Sequence, residues 1–290
     1  MKIIATPVET LYQRLLAGDP DEVLEQAEGL LKGRALSSYY DDIALKALRL
    51  VANDVSREVI QPGQLEKIQE VMLGLIQDLE PHEDVDPTLT EKQAKAAVVE
   101  VAGAARPERE TTTQPAPQGQ VHESANLPDV WRTERSVLCV AGRDPLDGVV
   151  ASMLAQLLRK HGLGAQPVLH GEVSRFTINT LDTTGVAMVF IAYAELRGNP
   201  PHMRYLLRRI RQRFPLCPVL VGFWEPDDAL LVDPAAQEMA GATAYASSLH
   251  DAVSKCLEEA QKVEQPGGEQ GLVVSPSEAE LVQPVGQAAQ

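Results

Sequence analysis

The groups best placed to do chemistry in this chain are Arg143, Asp144 and Asp147, in the stretch VLCVAGRDPLDG from Val137 to Gly148. An apolar run stops at Ala141 and Gly142, polar residues with a proline follow, and an amphipathic helix pattern begins at once. In α/β proteins a turn of this kind, at the C-terminal end of a strand, is where ligands are held. A dinucleotide-binding turn would read GxGxxG, and a nucleoside-triphosphate loop would read GxxxxGK followed by Ser or Thr. Here Gly142 is followed by Arg143, Asp144 and Pro145, and the next glycine is Gly148. Two carboxylates would repel a phosphate at a helix N-terminus, and Asp in that position ordinarily caps or complements the helix. The turn is therefore read as keeping the geometry of a ligand site without the groups for phosphate chemistry. Arg143, Asp144 and Asp147, with Gly222 after the fourth apolar run, form the candidate crevice.

Other chemistries have weaker support. A phosphoacceptor site would need an Asp at the end of the third strand, where VAMVFIAYAEL offers Ala194 and Glu195. Cys139, Cys217 and Cys256 are far apart and lack CxxC spacing, so neither a disulfide framework nor a zinc site is indicated, and a reducing cytoplasm fits. His161, His170, His202 and His250 show no metal-ligand spacing. No nucleophile elbow is marked. The expectation is a chain that is not an enzyme, with no catalytic residues, no metal and no resident cofactor.

The most distinctive surface is HMRYLLRRIRQRF. Helical spacing puts Met203, Leu206, Leu207, Ile210 and Phe214 on a buried stripe, and leaves Arg204, Arg208 and Arg211 on an exposed face with Arg209 and Arg213 beside it. Solvation is the ordinary role of such a face. In an acidic protein it is also the candidate surface for an acidic partner or anionic lipid.

The elements that must position these residues fall into two halves. TPVETLYQRLLAGD carries Thr6, Pro7 and Glu9 as a helix start and Gly18 as its end, and DPDEVLEQAEGLLKGR repeats the device with Asp19, Pro20 and Glu22. Two further helical patterns complete a small bundle over residues 1–80. Residues 81–132 are rich in Pro, Gln, Thr and Glu and read as a mostly disordered linker, with a helix conceivable over 90–105. From 133 to 262, apolar runs at 137–141, 165–169, 186–194, 219–223 and 243–246 alternate with helical patterns, including 146–161, 172–179, 202–214, 226–239 and 249–262. This predicts a five-stranded, doubly wound parallel α/β domain, with a disordered tail over 263–290.

Charge separates the same halves. The 290 residues carry a formal net charge of −15. Residues 1–130 hold 12 basic and 23 acidic side chains, whereas 132–262 hold 14 of each. Such acidity argues against nonspecific nucleic-acid binding, which needs surplus Lys and Arg. No apolar run reaches the roughly 18 residues of a membrane span, and no secretory-type leader is seen.

A helical bundle followed by an α/β unit resembles the cobalamin-binding module of methionine synthases and related corrinoid proteins. In that family the turn after the first strand reads DxHxxG and its histidine ligates cobalt. Aligned on Asp144, this chain reads DPLDGV, so Leu146 stands at the histidine position. The family's serine after the third strand is absent from AYAEL, and its GG pair is matched only by Gly222 and Phe223. The resemblance implies a retained architecture with the cofactor chemistry lost.

A narrower likeness lies in LYQRLLAGDPDEVLEQAEGLLKG, YYDDIALKALRLVANDVSR and VLCVAGRDPLDGVVASMLAQLLRKHGLGA. These stretches resemble the soluble C-terminal region that follows the membrane segments in some bacterial permeases of the autoinducer-2 exporter family. The likeness implies a non-enzymatic cytoplasmic accessory or regulatory domain partnered with a permease at the inner face of the membrane. The alternative from the residues themselves is a small-ligand or corrinoid-binding module that uses the crevice after the first strand.

Overall fold

A computed structural model describes residues 5–85, 127–194, 200–224 and 241–262. The expected helices at 90–105 and 226–239, and the tail, lie outside the described residues.

The N-terminal part is helical. Helix α1 (Pro7–Ala17) opens with the full capping box: Thr6 accepts from the Glu9 amide, and the Glu9 carboxylate accepts from the Thr6 amide at 2.8 Å. Such a cap contributes about 1 kcal/mol. The helix stops at Gly18, whose φ of 69° places it in the left-handed region that glycine enters without strain. Helix α2 (Pro20–Leu31) is capped by Asp19. The third pattern starts as α3 (Leu36–Tyr39), widens into a π turn at Tyr40–Ala44 and continues as α4 (Leu45–Ser56). Helix α5 (Pro62–Asp78) buries Ile68, Val71, Met72, Leu75 and Ile76.

After a single turn, α6 (Asp129–Arg132), comes the parallel sheet: β1 (Val137–Ala141), β2 (Ala165–Val168), β3 (Met188–Ala192), β4 (Val219–Gly222) and β5 (Ala244–Ala246). Their spatial order is β2-β1-β3-β4-β5, all parallel. Helices α7 (Asp147–Lys160), α8 (Pro200–Arg213) and α9 (Leu249–Lys262) connect or follow them. Strands β1 and β3 are buried at every position, as a sheet covered on both faces requires. Leu138, Val140, Val189 and Ile191 join α8 on one face, and Cys139, Met188, Phe190 and Leu220 join α7 and α9 on the other. The fold is thus a helical part followed by a five-stranded parallel α/β domain.

Two local expectations differ. The helix expected at 172–179 is two 3-10 turns, His170–Val173 and Ile178–Thr180, because Ser174 and Thr177 spend their hydroxyls on local backbone and on each other. The linker bounds also differ. Asp84 is buried on one side and Trp131 on the other, and the Trp131 carbonyl accepts from Gly164 at 2.7 Å.

The bundle is not a separate module on a tether. One continuous apolar core runs from Leu11 and Leu48 through α7 and α9 to Phe190. Polar groups fix the docking. Gln156, wholly buried on α7, accepts from the Tyr40 hydroxyl and donates to the Ile76 carbonyl at 2.6 Å and to Glu80 at 2.8 Å. Asp84 accepts from the Ser37 amide at 2.6 Å and pairs with His161 at 2.9 Å. Asp41, on the π turn, accepts from the Leu249 and His250 amides at 2.7 and 3.1 Å and so caps α9.

Candidate functional site

The crevice predicted from the sequence lies where β1 and β3 end. Backbone pairing continues past β1, since the Gly142 amide donates to the Ala192 carbonyl at 2.9 Å. The chain then turns, and α7 begins at Asp147. Arg143 and Asp144 are exposed on this turn. Asp147 is wholly buried. Its Oδ2 accepts from the Arg143 and Asp144 amides at 2.6 and 2.8 Å, and its Oδ1 accepts from the Ala194 amide at 2.6 Å. Burial pushes its pKa up to about 7 against the pull of these amides. Asp147 therefore ties the turn to the end of β3, and both its oxygens are engaged by the fold.

The space above the turn is filled. A Cβ added at Gly142 would lie 2.3 Å from Cδ1 of Tyr193 and 2.5 Å from Oδ2 of Asp147. The Tyr193 ring covers Gly142, stacks on Phe223 at 5.9 Å, and Phe223 stacks on Tyr245 at 6.0 Å. Burial first, and then the charge of Asp147, push the Tyr193 phenol well above its ordinary pKa. At the fourth strand the pattern recurs on the opposite face. A Cβ at Gly222 would meet Trp224 Cη2 at 2.4 Å and Phe190 Cε1 at 2.9 Å, and the Trp224 and Phe190 rings stack at 6.5 Å. Gly142 and Gly222 are glycines because the protein's own aromatic rings need the room. The structure puts Arg143, Asp144 and Asp147 together on one turn and Gly222 two strands away, beneath Trp224.

These residues do not fit a corrinoid. Leu146, at the cobalt-ligand position, is buried in the apolar core, and the Trp224 ring lies over the glycine that would face a nucleotide tail. The buried thiols of Cys139 and Cys256 are pushed up by burial, away from nucleophile chemistry. Among the described residues no three His, Cys, Asp or Glu side chains gather as a metal site would, and no helix is long and apolar enough to cross a membrane.

The arginine helix divides into two stripes. The predicted apolar face of Met203, Leu206, Leu207, Ile210 and Phe214 is buried. At about 100° per residue, His202, Arg209 and Arg213 fall within about 40° of one another on one flank of that face. The Arg213 guanidinium donates to the Leu181 carbonyl at 2.6 Å, so this flank faces the segment after β2. Arg204 and Arg211 lie on the other flank with Arg208 outside them, and Arg211 donates to the Gly241 carbonyl at 2.7 Å. Arg204 and Arg208 are exposed; Arg209 is not beside them, as sequence spacing had it, but on the inner flank.

Sequence reasoning missed the residues that dock the two parts. Asp41 and Gln156 look like ordinary helix-surface groups and Asp84 like a linker residue, and only their burial marks them. His161 follows the last turn of α7, and its partner Asp84 lies 77 residues earlier.

The chain is thus a helical bundle that shares its core with a five-stranded parallel α/β domain. No protein-family model matches the chain, and no curated protein matches it. Among solved structures it is similar to a novel cobalamin-binding protein from Desulfitobacterium hafniense, with a TM-score of 0.34 and 11% identity over 86% of this chain and 96% of that one. A likeness at that level carries nothing about what this chain binds.

Proposed function

We propose that this chain is a non-enzymatic accessory or regulatory module that works by contact with a permease-like membrane transport protein at the cytoplasmic face of the membrane. The observation that carries the non-enzymatic part is the filled crevice: Tyr193 over Gly142, Trp224 over Gly222 and Asp147 engaged by three amides. A site closed by its own side chains offers little to a substrate, and a fold alone does not imply chemistry. The likeness of the bundle and of the first βα unit to permease C-terminal regions supports the choice of partner. The exposed Arg204 and Arg208 supply a cationic surface on an otherwise acidic chain.

The test is crosslinking of the tagged chain in cells of its source, followed by detergent extraction and mass spectrometry. The expected result is recovery of a polytopic permease, lost with Arg204→Glu and Arg208→Glu together. Recovery of the chain from the soluble fraction alone, with transport unchanged in a deletion strain, would overturn the proposal.

A further inference from the structure

Beside the filled crevice lies a second set of groups. The 3-10 turn His170–Val173 is wedged between β1 and α8. His170 reaches the backbone of Gly142, while its Nδ1 is buried without a hydrogen-bond partner among the described residues. Toward it come Arg209 and His202 from the inner flank of α8 and Arg143 from the turn, and the two guanidinium charges bear on the imidazole. The Nε of Arg209 is also buried without a partner among the described residues. Asp147, the nearest buried carboxylate, has both oxygens engaged by amides. Asp144 is exposed on the turn, and its charge bears on Tyr193.

A buried guanidinium N–H left unpaired is costly, and the guanidinium groups of Arg143 and Arg209, carried on two separate elements, repel one another. Native proteins rarely keep such a cluster without something to fill it. We propose that Arg143, His170, His202 and Arg209 form a binding site for a small phosphate-class anion at the lip of the α/β domain. The donors match that chemistry: a guanidinium presents two parallel N–H groups to an oxyanion, and the His170 imidazole adds a third once it takes a proton on Nδ1. Burial, with the neighbouring cations, holds His170 below the ordinary histidine pKa in the empty protein, so an anion there would raise it. The proposal stands whether or not a permease is the partner.

The test titrates inorganic phosphate into the full chain, with ionic strength held constant by chloride, while the imidazole carbon-bound proton signals of His170 and His202 are followed by NMR. Both signals should saturate with one common dissociation constant, and the pKa of His170 should rise when phosphate is bound. Arg209→Gln should weaken binding by about tenfold or more. Arg143→Gln, an exposed position that leaves the fold unstrained, should weaken it too, and Lys46→Gln on the bundle should not. Vesicles containing phosphatidate that compete for the same signals would assign the anion to a lipid headgroup; no competition would assign it to a soluble phosphate. A linear, non-saturating drift, or saturation indifferent to both arginine substitutions, would overturn the proposal.

Discussion

Gly142→Ala tests whether the Tyr193 ring occupies the ligand position. The added Cβ would sit 2.3 and 2.4 Å from two ring carbons of Tyr193 and 2.5 Å from Asp147 Oδ2, whereas carbon atoms rest at about 3.5–4.0 Å. The ring would have to retreat by more than about 1 Å. It cannot do so freely, because it is stacked on Phe223, which is stacked in turn on Tyr245. Overpacking of this kind costs about 1–3 kcal/mol, and a displaced Asp147 would add about 1 kcal/mol for each amide it releases. The expected loss is about 2–4 kcal/mol, a large part of the stability of an ordinary domain. Tyr193→Ala should cost about 3–5 kcal/mol by opening a cavity. The double variant should be less destabilised than the sum of the two by about 1–3 kcal/mol, because the ring that clashes is gone. Urea denaturation followed by circular dichroism measures all three. Additivity within about 0.5 kcal/mol would refute the reasoning, since it would mean that ring and turn do not touch.

Three further outcomes follow from the buried polar groups. Gln156→Leu leaves the Tyr40 hydroxyl and the Ile76 carbonyl unpaired at the junction of bundle and sheet, and should lower stability by about 2 kcal/mol and speed amide exchange in α5 and α7. Burial alone would raise the pKa of Asp84, but hydrogen bonds from His161 and Ser37 outweigh it and hold the group below its ordinary 3.8. Its contribution to stability is therefore full above about pH 4 and lost as pH falls through the folded-state value; Asp84→Asn should flatten that acid limb in pH-dependent denaturation. Asp147 has the opposite sign. Raised from 3.8 to about 7, it binds an extra proton in the folded chain between those values, so its contribution declines as pH rises through that window, and Asp147→Asn should remove the decline.

The sequence made the architecture legible because it rests on local signals. Thr6 with Glu9, and Asp19 with Pro20, announce helix starts, and Val137–Ala141 is apolar at every position because a sheet covered on both faces demands it. What stayed hidden depends on distant neighbours. Asp147 looks like a helix-start carboxylate exposed to a ligand, and only the amide of Ala194, 47 residues on, shows that it is a tie. The docking of the bundle rests on Asp41, Asp84 and Gln156, polar residues that periodicity assigns to solvent. The partition of the arginines could have been read from helical angle alone, since Arg209 and Arg213 lie well away from Arg204 and Arg211; the signal was lost by grouping them as neighbours in the chain.

The central claim is that this α/β domain fills its own crevice and works by contact. A visible-absorption titration of hydroxocobalamin with the full chain, with calorimetry in parallel, tests it most directly. No saturable spectral shift and no binding heat are expected, because Leu146 cannot ligate cobalt and the Tyr193 and Trp224 rings stand over Gly142 and Gly222. A saturable one-to-one shift would contradict it, and would mean that those rings move aside for a ligand.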